Sequence, residues 1–104
     1  MMKWGAAMLE EMSVPIAIAC NQTVTGADFR SELPKIKVRT LIIHGDRDVS
    51  APIEITARPT AALIPGSEFK VYEGGTHGLM FTHMGRLNAD LAAFASAAAA
   101  AKAA

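Results

Sequence analysis

Sulfur chemistry is nearly absent from this sequence: Cys20 is the one cysteine among 104 residues. A lone thiol excludes an internal disulfide. With no CxxC and no Cys/His spacing beside it, it also argues against a cysteine-held zinc and fits a reducing, cytoplasmic setting. Charge of one sign is lacking as well. Ten Lys plus Arg balance ten Asp plus Glu, which leaves no basic footprint for nucleic acid or for an anionic membrane, so small molecules are the expected partners. Long apolar runs are missing too. Outside the alanine tail, the longest stretch without a charged residue is 12–27, and it contains Pro15, Asn21, Gln22 and Gly26. It cannot supply the ~20 apolar residues that cross a bilayer. The first twelve residues hold one lysine and no apolar segment ending in a small-residue cleavage site, so no signal peptide is read there. What is present is enough apolar material to fold, 51% of residues, which excludes a disordered polar tract. The length allows one domain at most and, for an α/β architecture shorter than about 150 residues, a thin core.

Along the chain, residues 1–12 read as a helix, with Trp4, Met8, Leu9 and Met12 at spacings of four, one and three that mark one face. Ser13 reads as an N-cap, and Pro15 in the following first turn opens a second helix over 14–24, ended by Gly26. Residues 28–37 form a polar connector. Arg39 to His44 contains Leu41, Ile42 and Ile43 in a row, the pattern of a parallel strand covered on both faces. Pro52, Ile53, Ala57, Ala61 and Ile64 predict a helix to Ile64, closed by Pro65 and Gly66. Pro59 inside it removes a backbone hydrogen bond at a cost of about 3 kcal/mol in a straight helix, so a kink or a restart is expected there. Phe69, Val71 and Tyr72 alternate with charged residues as a second strand, before a turn rich in glycine (Gly74, Gly75, Gly78). From Thr82, the residues Met84, Leu87, Leu91 and Phe94 give an amphipathic helix, with His83 in its first turn. Residues 97–104 are read as a frayed, alanine-rich extension. Strand, helix, strand, helix is a parallel unit with a right-handed crossover. Two parallel strands make a poor sheet by themselves, so the unit is expected to continue a larger one or to borrow a neighbour.

Chemistry concentrates at the two strand ends. His44-Gly45-Asp46-Arg47-Asp48-Val49-Ser50-Ala51-Pro52 follows the first strand, and Gly74-Gly75-Thr76-His77-Gly78 follows the second. The carboxyl edge of an open parallel sheet is where ligands bind. A carboxylate bonded to one imidazole nitrogen fixes the tautomer and stabilises the imidazolium formed when the other nitrogen takes a proton.

The stretches VRTLIIHGDRDVSAPIEITA and GSEFKVYEGGTHGLMFTHMGRLNADLAAFA resemble the C-terminal third of non-haem haloperoxidases and related carboxylesterases of the α/β-hydrolase superfamily. The resemblance spans roughly residues 25–96. It implies an α/β fold, the C-terminal part of an α/β-hydrolase, with residues 1–27 as a remnant of lid helices, 28–96 as the hydrolase segment and 97–104 as a tail. It implies Asp48 as the acid and His77 as the base of the triad, in the family's chain order. Asp46 competes as the acid; Asp48 is preferred because the family's acid stands four residues before a proline, as Asp48 does before Pro52. The implied parent chemistry is acyl transfer through a serine ester, acting on an ester or carboxylic acid. In the haloperoxidase branch it includes peracid formation with hydrogen peroxide, without haem, metal or other cofactor.

One departure decides what the chain can do. No G-x-S-x-G occurs, and Ser13, Ser31, Ser50, Ser67 and Ser96 all lack the strand-to-helix elbow. The first oxyanion-hole loop is missing too, and such donors alone are worth ~3 kcal/mol of barrier. The expectation is a hydrolase fragment without turnover by itself, able to associate with an N-terminal half or with itself. Two alternatives stand beside it. A non-catalytic truncated or interaction protein would use Trp4, Met8, Met12, Leu79, Met80 and Phe81 for association. A haloacid-dehalogenase-like phosphatase would use Asp46 as nucleophile and Asp48 as general acid. His44, at the end of a strand, is read as a packed or hydrogen-bonded structural group. Metal binding is not expected, because no His-x-x-x-His or carboxylate spacing gathers His44, His77 or His83 on one face.

Overall fold

The computed structural model describes residues 2–103; Met1 and Ala104, which the sequence places in the first helix and in the alanine tail, lie outside the described residues. The chain runs through α1 (Met2–Glu10), α2 (Val14–Gly26), a 3₁₀ turn at Leu33–Lys35, β1 (Leu41–Gly45), α3 (Ala57–Leu63), β2 (Glu68–Tyr72), α4 (Leu79–Thr82) and α5 (Met84–Ala103). β1 and β2 pair in parallel, with Leu41 opposite Glu68 and Gly45 opposite Tyr72. The crossover between them carries α3, as the order of apolar segments predicts.

Pro59 explains where α3 begins. Residues 52–56 form turns rather than helix, and the helix starts at Ala57, which puts the proline third in the first turn. There its missing N–H has no helical partner to lose. The late start leaves the apolar spacing intact: Ile53, Ala57 and Ile64 are all buried. Ser13 sits before α2 with an extended backbone and Pro15 in the first turn, but its side chain makes no capping hydrogen bond.

α5 differs from its expected face. Met84 and Leu91 are exposed, while Leu87, Asp90, Phe94 and Ala98 are the half-buried positions. The inclusion of Asp90 follows from what lies beneath it. Tyr72, fully buried, donates its hydroxyl proton to Asp90 Oδ2, and Lys70 Nζ donates to Asp90 Oδ1 at 2.6 Å. Arg86 covers the Tyr72 ring, with its guanidinium carbon 3.9 Å from the ring centroid. One carboxylate thus ties α5 to two residues of β2. Lys70 and Tyr72 hydrogen bonds hold the Asp90 carboxyl below the usual carboxylate range. At the other end of the sheet, Arg39 pairs with Glu68 at 2.8 Å and lies 4.3 Å over the Phe94 ring, which fastens the middle of α5. The helix does not stop near residue 96 but continues through the alanines to Ala103. His83 lies between α4 and α5 rather than inside the first turn of α5.

The core is small. Ile53, Ala57, Ile64 and Tyr72 are the buried apolar residues among those described, and α1 and α2 bury none. Trp4, Met8, Leu9 and Met12, the expected apolar face, are exposed. Leu41, Ile42 and Ile43 are half-buried rather than covered on both faces. The accessible surface is 7956 Å², where a compact monomer of 11.0 kDa presents about 5600 Å². The radius of gyration is 16.6 Å, against about 13 Å for a compact domain of this length. Among the described residues, no helix is long and apolar enough to cross a membrane.

Burial and the Asp90 carboxylate push the Tyr72 phenol up to about 12 from 10.0. A group whose folded-state value is raised gives stability that is whole below its unfolded value and is lost as pH rises through the folded one. Stability should therefore fall between about pH 10 and about pH 12. Because this is the chain's one tyrosine, phenolate absorbance and circular dichroism should change together on alkaline titration. Tyr72→Phe should remove the slope. A phenol that ionises near 10 with the fold intact contradicts the packing described.

Candidate functional site: an Asp–His pair at two strand ends

Both turns that follow the strands are fixed by backbone contacts. Asp46 N–H donates to Tyr72 O at 3.2 Å, Arg47 N–H donates to Gly75 O at 2.8 Å, and Gly75 N–H donates to Tyr72 O at 3.0 Å. A Cβ on Gly45 would lie 2.2 Å from Gly75 O, a distance no side chain can occupy, so glycine at 45 is required for the turns to meet. The Asp46 carboxylate adds a clamp, with its Oδ1 accepting from Gly74 N–H at 2.7 Å. Asp46, the competing acid, therefore holds the histidine turn and does not touch the histidine.

The pair is set by this closure. Asp48 is buried at 7% exposure, and its Oδ2 lies 2.9 Å from His77 Nδ1. Its other oxygen, Oδ1, accepts from Ser50 N–H at 2.9 Å and from Ala51 N–H at 2.8 Å. Burial pushes the Asp48 carboxyl up, but the Ala51 amide, the His77 imidazole and the Ser50 amide together outweigh it and hold it below the usual carboxylate range. An ionised carboxylate only accepts, so Nδ1 of His77 carries its proton and Nε2 is left as the basic nitrogen. The imidazole is 66% exposed, which leaves it open to a reacting group. A depression of about 260 Å³ adjoins the pair, with Ile43, Thr76, Leu79, Met80 and Leu87 among its lining residues.

His44, expected to be a packed or hydrogen-bonded structural group, is hydrogen-bonded: its Nε2 lies 2.8 Å from Ala51 O and 3.3 Å from Asp48 Oδ2. Its place at the end of β1, directly before the acid turn, was the available signal. His83 stands apart, with its Nδ1 2.8 Å from the Thr82 hydroxyl. Among the described residues, no group of three or more His, Cys, Asp or Glu is arranged to hold a metal ion. The five serines are dispersed: Ser13 precedes α2, Ser31 lies in the turn before the 3₁₀ segment, Ser50 follows Asp48 in its turn, Ser67 precedes β2 with its hydroxyl donated to Ala61 O, and Ser96 is inside α5.

A buried carboxylate and an exposed imidazole thus meet at two neighbouring strand ends, and comparison with known proteins places the chain in a family. The chain is 38% identical over 73% of its length to the non-heme chloroperoxidase CPO-A1 of Kitasatospora aureofaciens. It is 38% identical over 74% to the bifunctional esterase/perhydrolase DCH of Acinetobacter calcoaceticus. A crystal structure of bromoperoxidase from Bacillus anthracis superposes with a TM-score of 0.65 at 41% identity over 67% of this chain. The chain is a C-terminal portion of an α/β-hydrolase superfamily protein of the non-haem haloperoxidase type. It spans about a quarter of the length of these relatives: 27% of the first, 26% of the second and 25% of the bromoperoxidase. No family model matches it. The phosphatase reading falls with this result, since the relatives are non-heme chloroperoxidases, an esterase/perhydrolase and an AB hydrolase superfamily protein.

Gly45→Ala should cost more than the ~1–3 kcal/mol of ordinary overpacking, because the clash is with backbone. Gly85→Ala is the control: nothing lies within 4 Å of the added Cβ, and its helical site should gain about 0.5–1 kcal/mol. Denaturant unfolding checks both, and equal effects would mean that the turns do not touch as described.

Asp48 has a lowered folded-state value, so its contribution to stability is present above the ordinary carboxylate range and is lost as pH falls through the folded value. Wild-type chain should keep the His77 contact to lower pH than an unperturbed carboxylate allows, as read from the His77 ring resonances. Asp48→Asn should abolish that acid limb.

Proposed function

We propose that this chain is the acid–base portion of a serine esterase or perhydrolase, and that it has no turnover alone because the nucleophile and the oxyanion donors belong to another segment. The observation that carries the reading is the 2.9 Å contact between Asp48 Oδ2 and His77 Nδ1 at the carboxyl ends of neighbouring parallel strands. In this reading, a serine hydroxyl supplied from outside residues 1–104 attacks the ester carbonyl and its proton passes to His77 Nε2. Asp48 stabilises the imidazolium that results. The proton then goes to the departing alkoxide, leaving a serine ester. Water cleaves that ester to a carboxylic acid, or hydrogen peroxide cleaves it to a peracid, and the serine regains its proton in either case. A peracid can oxidise halide in solution. Every step uses only acid, base and nucleophile, so the route needs no cofactor.

The exposed apolar residues and the surplus surface support a second role, as a docking partner for an N-terminal half that carries the nucleophile. Paired strands with unpaired outer edges favour the same occupant.

Purified chain should neither hydrolyse a short aryl ester above background nor be labelled by a fluorophosphonate. Mixed with an N-terminal portion of one of the relatives, it should gain ester turnover. Asp48→Asn should lower that turnover by on the order of 10⁴-fold, and His77→Ala should abolish it. A label on any of the five serines, or turnover indifferent to His77, would overturn the proposal. Association without turnover would leave the docking role alone standing.

A further inference from the structure

His44 lies within reach of Asp48 and Ala51, and the role given to Asp48 and His77 above leaves it without one. Its Nε2 is 2.8 Å from Ala51 O. A carbonyl oxygen only accepts, so Nε2 carries a proton and Nδ1 is bare when the ring is neutral. The same N–H is 3.3 Å from Asp48 Oδ2, the oxygen that faces His77. Ala51 closes the circuit, since its own N–H donates to Asp48 Oδ1 at 2.8 Å. The residue that His44 grips through its carbonyl is thus the residue that orients the carboxylate through its amide. The His44 side chain is 17% exposed and starts from β1, the paired strand, so it anchors the turn to the most regular part of the molecule. The two imidazoles approach Oδ2 while two amides hold Oδ1, which fixes the rotation of the carboxylate about its own axis.

We propose that His44 is a positioning residue: as the Nε2–H tautomer it clamps the turn 48–51 through Ala51 O, and so holds the Asp48 carboxylate in the rotation that keeps His77 in its Nδ1–H tautomer. The inference rests on the reading of Asp48 and His77 as acid and base. Its consequences are nevertheless read on the chain alone, without any ester turnover, so failure here and failure of the hydrolase assignment are separate results.

The test is long-range ¹H–¹⁵N correlation of the histidine rings above neutral pH. Wild type should show His44 as Nε2–H and His77 as Nδ1–H. In His44→Phe, which fills the space but donates nothing, the His77 nitrogen shifts should move toward those of freely interconverting tautomers while helix content is kept. His44→Gln, whose amide can donate to Ala51 O, should return them to the wild-type positions. A merely space-filling role predicts the reverse, with Phe tolerated and Gln harmful. A His44 ring in the Nδ1–H form, or His77 shifts unchanged in His44→Phe, would overturn the proposal. Should the Phe variant fail to fold, the wild-type tautomers and the Gln variant still decide it.

Discussion

Gly45 and Gly75 approach through their backbones at the ends of the two strands, and the site follows from that approach. A side chain at 45 would occupy the position of the Gly75 carbonyl, so the turns can close only where neither projects a Cβ into the gap. Once they close, Arg47 N–H bonds to Gly75 O and Asp46 accepts from Gly74 N–H. The acid and the histidine are then a fixed number of residues beyond two points in contact. A parallel ladder supplies the common starting line, because Gly45 is opposite Tyr72 in the register. A one-residue slip would turn one set of side chains to the other face and carry Asp48 away from His77.

This division of labour explains why so much of the site was legible in the sequence. Turn glycines, a strand of consecutive aliphatics and a proline four residues beyond an aspartate are local signals, and the contacts that matter are local or between adjacent strands. The helix order and the break at Pro59 were readable for the same reason, since a proline's demands are set by its own ring. What could not be read depends on partners distant in the chain. Asp90 interrupts an apolar stripe because Lys70 and Tyr72 wait beneath it, a fact that no periodicity encodes. Met84 and Leu91 fit the stripe and yet face outward. His44 is legible as a hydrogen-bonded structural group at a strand end, but that its acceptor is Ala51 O follows only from the fold of the next seven residues.

The apolar pattern of α1 describes a face without saying what covers it. Trp4, Met8 and Leu9 satisfy helical spacing, and the helix forms, but those side chains remain in water. Binary pattern specifies an interface only when both sides are present. The same holds for β1, whose Leu41, Ile42 and Ile43 suit a strand buried on both faces but are half-buried here. The chain spans about a quarter of the length of the relatives it matches.

Four buried apolar side chains among the described residues would ordinarily be a weak foundation for precise geometry. The site escapes this because its order is carried by hydrogen bonds that saturate their groups, not by apolar bulk. Asp48 has amide donors on one oxygen and His77 on the other, and among the described residues no buried side-chain polar atom lacks a partner. An unsatisfied carboxylate at that depth would be driven to take up a proton, and a neutral carboxyl could no longer stabilise an imidazolium. Satisfying the carboxylate through its own turn therefore does two things at once: it keeps a charge opposite the imidazole, and it makes the pair independent of the exposed surfaces of α1, α2 and the strand edges.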